Sequence, residues 1–269
     1  MTENTKTIEL PDATLQVHLH GDVKAPVVCF THSILASSAM WQTQADLLAG
    51  RGWRVVRIDT RGHGGSRTGS THATMATLVS DTIAVLNALD ISKAHYVGLS
   101  LGGMSGFGLA LSHADRLQSI CLCAARADAP PEVAAPWDER ISIAETANSC
   151  SPLAQPTIDR WFGRAFLDAN PDLEGHLLKM TSATTVTGFV ACARAIQSLD
   201  YLDRIHKIAL PTTLIVGAND GVLPAAMAEI ARHIKGAELV QIANAGHLPN
   251  VDQPEAFNDA LLRHLERVS

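Results

Sequence analysis

Short apolar runs alternate with longer segments of helical spacing through the first half of the chain. VVCFTH (27–32), RVVRID (54–59), HYVGLS (95–100) and SICLCA (119–124) read as strands. Between them, residues 40–50, 74–89 and 101–113 carry apolar side chains at the spacing of one helix face. The alternation resumes with a strand at TTLIVGA (212–218), a helix near 224–235, a strand at ELVQIA (238–243) and a closing helix from Pro254 to Val268. Pro254 suits a first helical turn, where its missing N–H costs nothing. Strands and helices in alternation predict an α/β fold, with a mostly parallel central sheet and helices on both faces.

Residues 127–205 interrupt this rhythm. ADAPPEVAAPWDER opens the segment with prolines that break regular structure. QPTIDRWFGRAFL and TGFVACARAIQSL then read as helical pieces. A helical cap inserted over the C-terminal edge of the sheet is the expected arrangement, since open α/β sheets bind ligands at that edge. The expected organisation is a core of residues 1–126 and 206–269 with a helical cap of residues 127–205.

Composition narrows the classes. Apolar residues make up 46% and charged residues 18%, enough to build a large core. Lysines and arginines are scattered and the net charge is −6, so nucleic acid is not an expected partner. The polar start MTENTKTIELPDATLQVH has no signal-peptide core, and no apolar stretch reaches the roughly 18 residues that a membrane helix needs. A cytoplasmic protein is expected, with neither nucleic acid nor membrane as partner. Five cysteines without paired spacing (Cys29, Cys121, Cys123, Cys150 and Cys192) read as buried small hydrophobes. Only His18 and His20 stand close together among the histidines, and no acid or cysteine flanks them at ligand spacing, so neither metal nor cofactor is expected.

The candidate chemistry begins at YVGLSLGGM (96–104), where Ser100 lies between Gly98 and Gly102 after a strand and before a helix. A serine hydroxyl needs a base, a carboxylate behind the base and donors for the oxyanion formed on attack. A strand–turn–helix elbow with glycines on both sides exposes such a serine at a helix N-terminus. His247, in IANAGHLPNVDQP, follows a later strand and is the expected base. Asp220, in LIVGANDGVLP, is the expected acid, and Asp128, after the strand ending near Ala124, is its rival. The order Ser100, Asp220, His247 is that of the hydrolase elbow. The oxyanion donors are the backbone amides of Leu101 and of Ile34, in CFTHSILASSAMW. His32 in that loop precedes the nucleophile and is expected to hold the loop rather than act as base. DTRGHGGS (59–66) lacks the spacing of a phosphate or dinucleotide loop and reads as a structural turn.

Together, THS…MW, IDTRGHGGS, VGLSLGGM, LIVGANDGVLP and NAGHLPNVDQPEAF resemble the α/β-hydrolase superfamily across nearly the whole chain. Ser33, DTRGHG, GLSLGGM and PPEVAAPWDERI make it most similar to the 3-oxoadipate enol-lactonases, which open an enol-lactone ring. One departure is Leu35, where those enzymes tend to have glycine. The resemblance implies a cofactor-independent serine hydrolase whose partner is a small lactone or ester, a homo-oligomer being compatible. Other carboxylesterases, lactonases and C–C bond hydrolases share these motifs. An acidic substrate would need a local cation in a net negative protein. Arg126 and Arg140 are the candidates, with Trp137 and Trp161 as an apolar wall.

Overall fold

The computed structural model describes residues 4–268, so residues 1–3 and 269 of the expected core lie outside the described residues. Nine strands form one sheet: β1 (Asn4–Glu9), β2 (Ala13–His20), β3 (Val27–Thr31), β4 (Arg54–Ile58), β5 (Arg67–Thr68), β6 (Ala94–Leu99), β7 (Leu117–Cys123), β8 (Thr212–Gly217) and β9 (Glu238–Ile242). Their order is β1-β2-β4-β3-β6-β7-β8-β9, with β5 paired to β2. From β4 to β9 every pairing is parallel, whereas β1, β2 and β5 add antiparallel ladders. The central strands β3, β4, β6 and β8 are buried on both faces, as strands of a covered parallel sheet must be.

Helices α1 (Gln42–Gly50), α2 (Met75–Ala88) and α3 (Leu101–Ser112) connect the first strands. A capping box between Thr74 and Thr77 starts α2. Between β7 and β8 lie six α-helices, α4 (Pro131–Ala134), α5 (Pro136–Ala147), α6 (Ser151–Phe162), α7 (Arg164–Ala169), α8 (Pro171–Ser182) and α9 (Val186–Gln197), followed by a 3₁₀ helix (Leu202–Lys207). The chain closes with α10 (Leu223–His233), α11 (Pro249–Asp252) and α12 (Pro254–Arg267). In α12, Phe257, Ala260, Leu261, His264 and Leu265 form the buried stripe. No helix among the described residues is long and apolar enough to cross a membrane.

The inserted helices touch the loops that follow the parallel strands. Thr185 N–H donates to the Gly62 carbonyl beyond β4 (2.9 Å), and His247 N–H, beyond β9, donates to the Trp161 carbonyl of α6 (2.8 Å). The strands themselves stop one residue short of the apolar runs. His32, Asp59, Ser100 and Ala218 thus stand first in their loops, at the C-terminal edge of the sheet.

The opposite edge holds a buried polar cluster. Ser119 Oγ lies 2.8 Å from both His95 Nδ1 and His264 Nε2, and His264 Nδ1 lies 2.8 Å from Thr213 Oγ1. Ser119 is wholly buried near the start of β7, so this serine–histidine contact braces the sheet away from the elbow. Burial pushes His264 down to about 3, and burial likewise brings His63 to about 3. An unfolded histidine titrates near 6.5. Below that pH the unfolded chain binds protons that the fold refuses, so stability falls as pH drops from about 6.5 toward 3. At pH 5 each of these two histidines is expected to cost about 2 kcal/mol. Urea unfolding at pH 8 and pH 5 measures the loss, and a His264→Gln variant should show a shallower pH dependence. An unchanged slope would contradict the assignment.

Candidate active site

β6 delivers the chain to Ser100, which has φ +55° and ψ −112° and precedes the first residue of α3. A serine in that left-handed region is strained by on the order of 1–3 kcal/mol and persists because its surroundings fix it. Ser100 N–H donates to the Cys123 carbonyl (2.8 Å), Met104 N–H donates to the Ser100 carbonyl (2.7 Å), and Gly102 N–H donates to the His32 carbonyl (3.1 Å). A methyl group at Gly98 would land on the Gly102 carbonyl, and one at Gly102 would land on Thr31, so both flanking positions need glycine. Beneath the turn, the Tyr96 hydroxyl donates to the Gly102 carbonyl (2.7 Å), and Thr31 Oγ1 lies 2.6 Å from it.

The loop after β3 faces this elbow from the next strand. Neither Ile34 N–H nor Leu101 N–H donates to a protein atom among the described residues. Leu35 is fully buried and adopts φ +63°, a conformation favoured by glycine. The leucine therefore keeps a glycine-like backbone, and its buried side chain offsets the strain. His32 Nδ1 donates to the Ser33 carbonyl (2.8 Å) and Nε2 accepts from Thr60 N–H (2.9 Å). With both ring nitrogens engaged and burial lowering its pKa, His32 is a neutral loop brace with no nitrogen free to take a proton.

Asp220 and His247 meet on the loops beyond β8 and β9. His247 Nδ1 lies 2.8 Å from Asp220 Oδ2, and both residues are buried. Asn219 N–H donates to the Ala245 carbonyl (2.8 Å), which ties the two loops together. His247 Nε2 is buried without a partner among the described residues, and Ser100 Oγ makes no hydrogen bond to it. The structure thus joins acid to base and leaves base and nucleophile unjoined, as unliganded sites often do. Burial pushes the His247 pKa down, the Asp220 charge pulls it back, and the guanidiniums of Arg160 and Arg140 push it down again.

Among the other expected residues, Trp161 is fully buried on α6 and stacks on the His247 ring (6.4 Å between centroids, 23° between planes). Its indole N–H has no partner among the described residues. Arg140 donates to Thr157 Oγ1 (2.9 Å) and lies 4.7 Å above the Trp137 ring. Burial and the neighbouring Arg160 charge lower Arg140 to about 10. Arg126 is turned onto its own segment, where it pairs with Asp128 Oδ1 at 3.4 Å. Asp128 thus faces Arg126, and the carboxylate bonded to His247 is that of Asp220. Arg160 went unnoticed in the sequence, although it adjoins Trp161 and its charge acts on Arg140 and His247. Neither Arg140 nor Arg160 forms an ion pair among the described residues. A cavity of about 590 Å³ lies elsewhere, between α8 (Leu173, Leu177, Met180) and Met40, Asn250 and Val251.

A parallel sheet with a serine elbow, and an acid and histidine on later loops, defines a hydrolase architecture. The chain belongs to the α/β hydrolase fold family, whose sequence model matches residues 26–254. It is 32% identical to 3-oxoadipate enol-lactonase 1 of Acinetobacter baylyi, over 91% of this chain and 90% of that one. Among solved structures it is similar to a hydrolase from Pseudomonas aeruginosa PA01, with a TM-score of 0.92 and 35% identity over 97% of this chain and 98% of that one. It is also similar to the enol-lactonase from Burkholderia xenovorans LB400, with a TM-score of 0.91 and 29% identity over 97% of this chain and all of that one (100%).

Proposed function

We propose that this chain is a cytoplasmic, cofactor-independent serine hydrolase that opens a carboxylate-bearing enol-lactone of the 3-oxoadipate type. The observation that carries this reading is the His247 ring, anchored at Nδ1 by Asp220 and free at Nε2, on the sheet edge that also presents the strained Ser100. His247 Nε2 takes the Ser100 proton as Oγ attacks the lactone carbonyl. The Ile34 and Leu101 amides hold the oxyanion. Collapse breaks the ring C–O bond, and the imidazolium returns its proton to the departing enolate oxygen. Water then gives a proton to the same histidine and attacks the acyl carbon, which frees the acid and restores the Ser100 hydroxyl.

Arg140 supports a substrate that carries a carboxylate. It is partly buried, stacked on Trp137 and without an acid partner among the described residues, so a substrate anion would supply the missing counter-charge. A charge-assisted hydrogen bond contributes about 1.5–3 kcal/mol. Arg140→Gln is therefore expected to raise KM roughly 10–100-fold for a carboxylated enol-lactone and to change a neutral ester by less than about twofold. Equal effects on both substrates would overturn Arg140 as the anion site. A panel of enol-lactones, simple esters and vinylogous diketones, ranked by kcat/KM, tests the wider reading. A preference for the diketones would move the assignment to C–C bond cleavage on the same three residues.

A further inference from the structure

The loop that carries His247 is tied down at three successive residues. The Ala245 carbonyl accepts from Asn219 N–H at 2.8 Å, and His247 N–H donates to the Trp161 carbonyl at 2.8 Å. Between them, Gly246 N–H donates to Asp252 Oδ2 at 2.6 Å, the one tie of the three supplied by a side chain. A methyl at Gly246 would land on the Trp161 carbonyl, so the loop has no room to shift toward α6. The second carboxylate oxygen, Oδ1, is buried with no partner among the described residues. A half-satisfied buried carboxylate is costly and invites explanation.

Building on the Ser100–His247–Asp220 reading, we propose that Asp252 is a positioning residue for the base. Its ionised carboxylate clamps the Gly246 amide and thereby holds the His247 ring against Asp220 with Nε2 toward the nucleophile. Two carboxylates then flank one loop, Asp220 on the ring and Asp252 on the backbone.

The clamp is sensitive to pH. Burial raises Asp252 to about 6, the amides of Gly246, Asp252 and Gln253 work against that rise, and the Asp220 charge adds to it. Of the elements packed on this segment, the 3₁₀ turn Ser38–Trp41 carries no titratable side chain, and α12 carries Glu255, Asp259, Arg263, His264, Glu266 and Arg267. From α6, Arg160 lowers the His247 pKa and is itself held up by the Asp220 charge. Protonation below about 6 weakens the acceptor for Gly246 N–H, while burial holds the His247 pKa below its ordinary value. The kcat profile should therefore carry a partial step near pH 6 from Asp252, in addition to the full loss that His247 protonation causes.

Hydrolysis of p-nitrophenyl acetate by the wild type, Asp252→Asn, Asp252→Ala and His247→Ala, measured from pH 4.5 to 8.5, tests this. Asparagine keeps a neutral acceptor, as the protonated acid does, so Asp252→Asn should hold kcat within about fivefold at pH 8 and lack the partial step near pH 6 that the wild type shows. Asp252→Ala should lose about 10–100-fold in kcat at pH 8 with KM within about twofold. If Asp252→Ala fails to fold, the limb of Asp252→Asn decides. An identical acid limb in the wild type and Asp252→Asn would overturn the proposal. His247→Ala separates the two readings: retained activity there removes the base itself, whereas an inactive His247→Ala beside an unchanged Asp252→Asn limb removes only the clamp.

Discussion

Ser100→Ala is expected to keep the fold and lose about 10⁵–10⁶-fold in kcat, the scale on which a nucleophile that acts with its base as one unit is lost. The fold should survive for a local reason. Ser100 Oγ makes no hydrogen bond in the structure, so its removal strands no buried partner, and alanine at φ +55° is no more strained than serine. The hydrogen bonds that fix the elbow run through backbone atoms of Ser100, Gly102 and Met104, and all of them remain. A melting temperature within a few degrees of the wild type, together with the kinetic loss, would place the effect in the chemistry. Activity within tenfold of the wild type on the best substrate would remove Ser100 as nucleophile.

Asp220→Asn carries the second large effect, about 10⁴-fold in kcat at neutral pH, or some 5–6 kcal/mol of transition-state stabilisation. The aspartate accepts the Nδ1 proton of His247 at 2.8 Å, which leaves Nε2 as the basic nitrogen. An asparagine NH₂ can donate to Nδ1 instead, which puts the ring proton on Nε2 and blocks transfer from Ser100. The variant also loses the charge that stabilises the imidazolium. Because Asp220 holds the His247 pKa up against burial and two arginines, its loss lowers that pKa further, and the residual activity should extend to lower pH. Asp128→Asn is the control. Paired with Arg126 and without a bond to His247, Asp128 should change kcat by less than about twofold. A large loss in Asp128→Asn beside a small one in Asp220→Asn would exchange the two roles.

The parallel half of the fold was legible because most of its strands are buried on both faces and appear as short, largely apolar runs, and the half-exposed β9 still showed through Leu239, Val240 and Ile242. The antiparallel flank was not. β1 is exposed at five of its six positions, and β2 alternates buried with half-buried residues, so neither forms a run. The alternation of Ala13, Leu15 and Val17 was the available signal. Within the site, the elbow and histidine loops carry spacing that local backbone sterics enforce, and so they can be read from one chain. The choice between Asp220 and Asp128 depended on which strand end faces β9, which is a matter of sheet order rather than of local sequence. Arg160 and Asp252 escaped for the same reason. One acts through charge on distant residues, and the other looks like an ordinary helix-flanking acid until the Gly246 amide is seen beside it.

Ser100 as a nucleophile made reactive by His247 and Asp220 is checked by fluorophosphonate labelling followed by peptide mass mapping. One adduct is expected, on the peptide that contains Ser100, absent in Ser100→Ala and formed more slowly in Asp220→Asn in proportion to the loss of kcat. An adduct on another residue, or an enzyme that turns over esters and takes no label, would contradict the account.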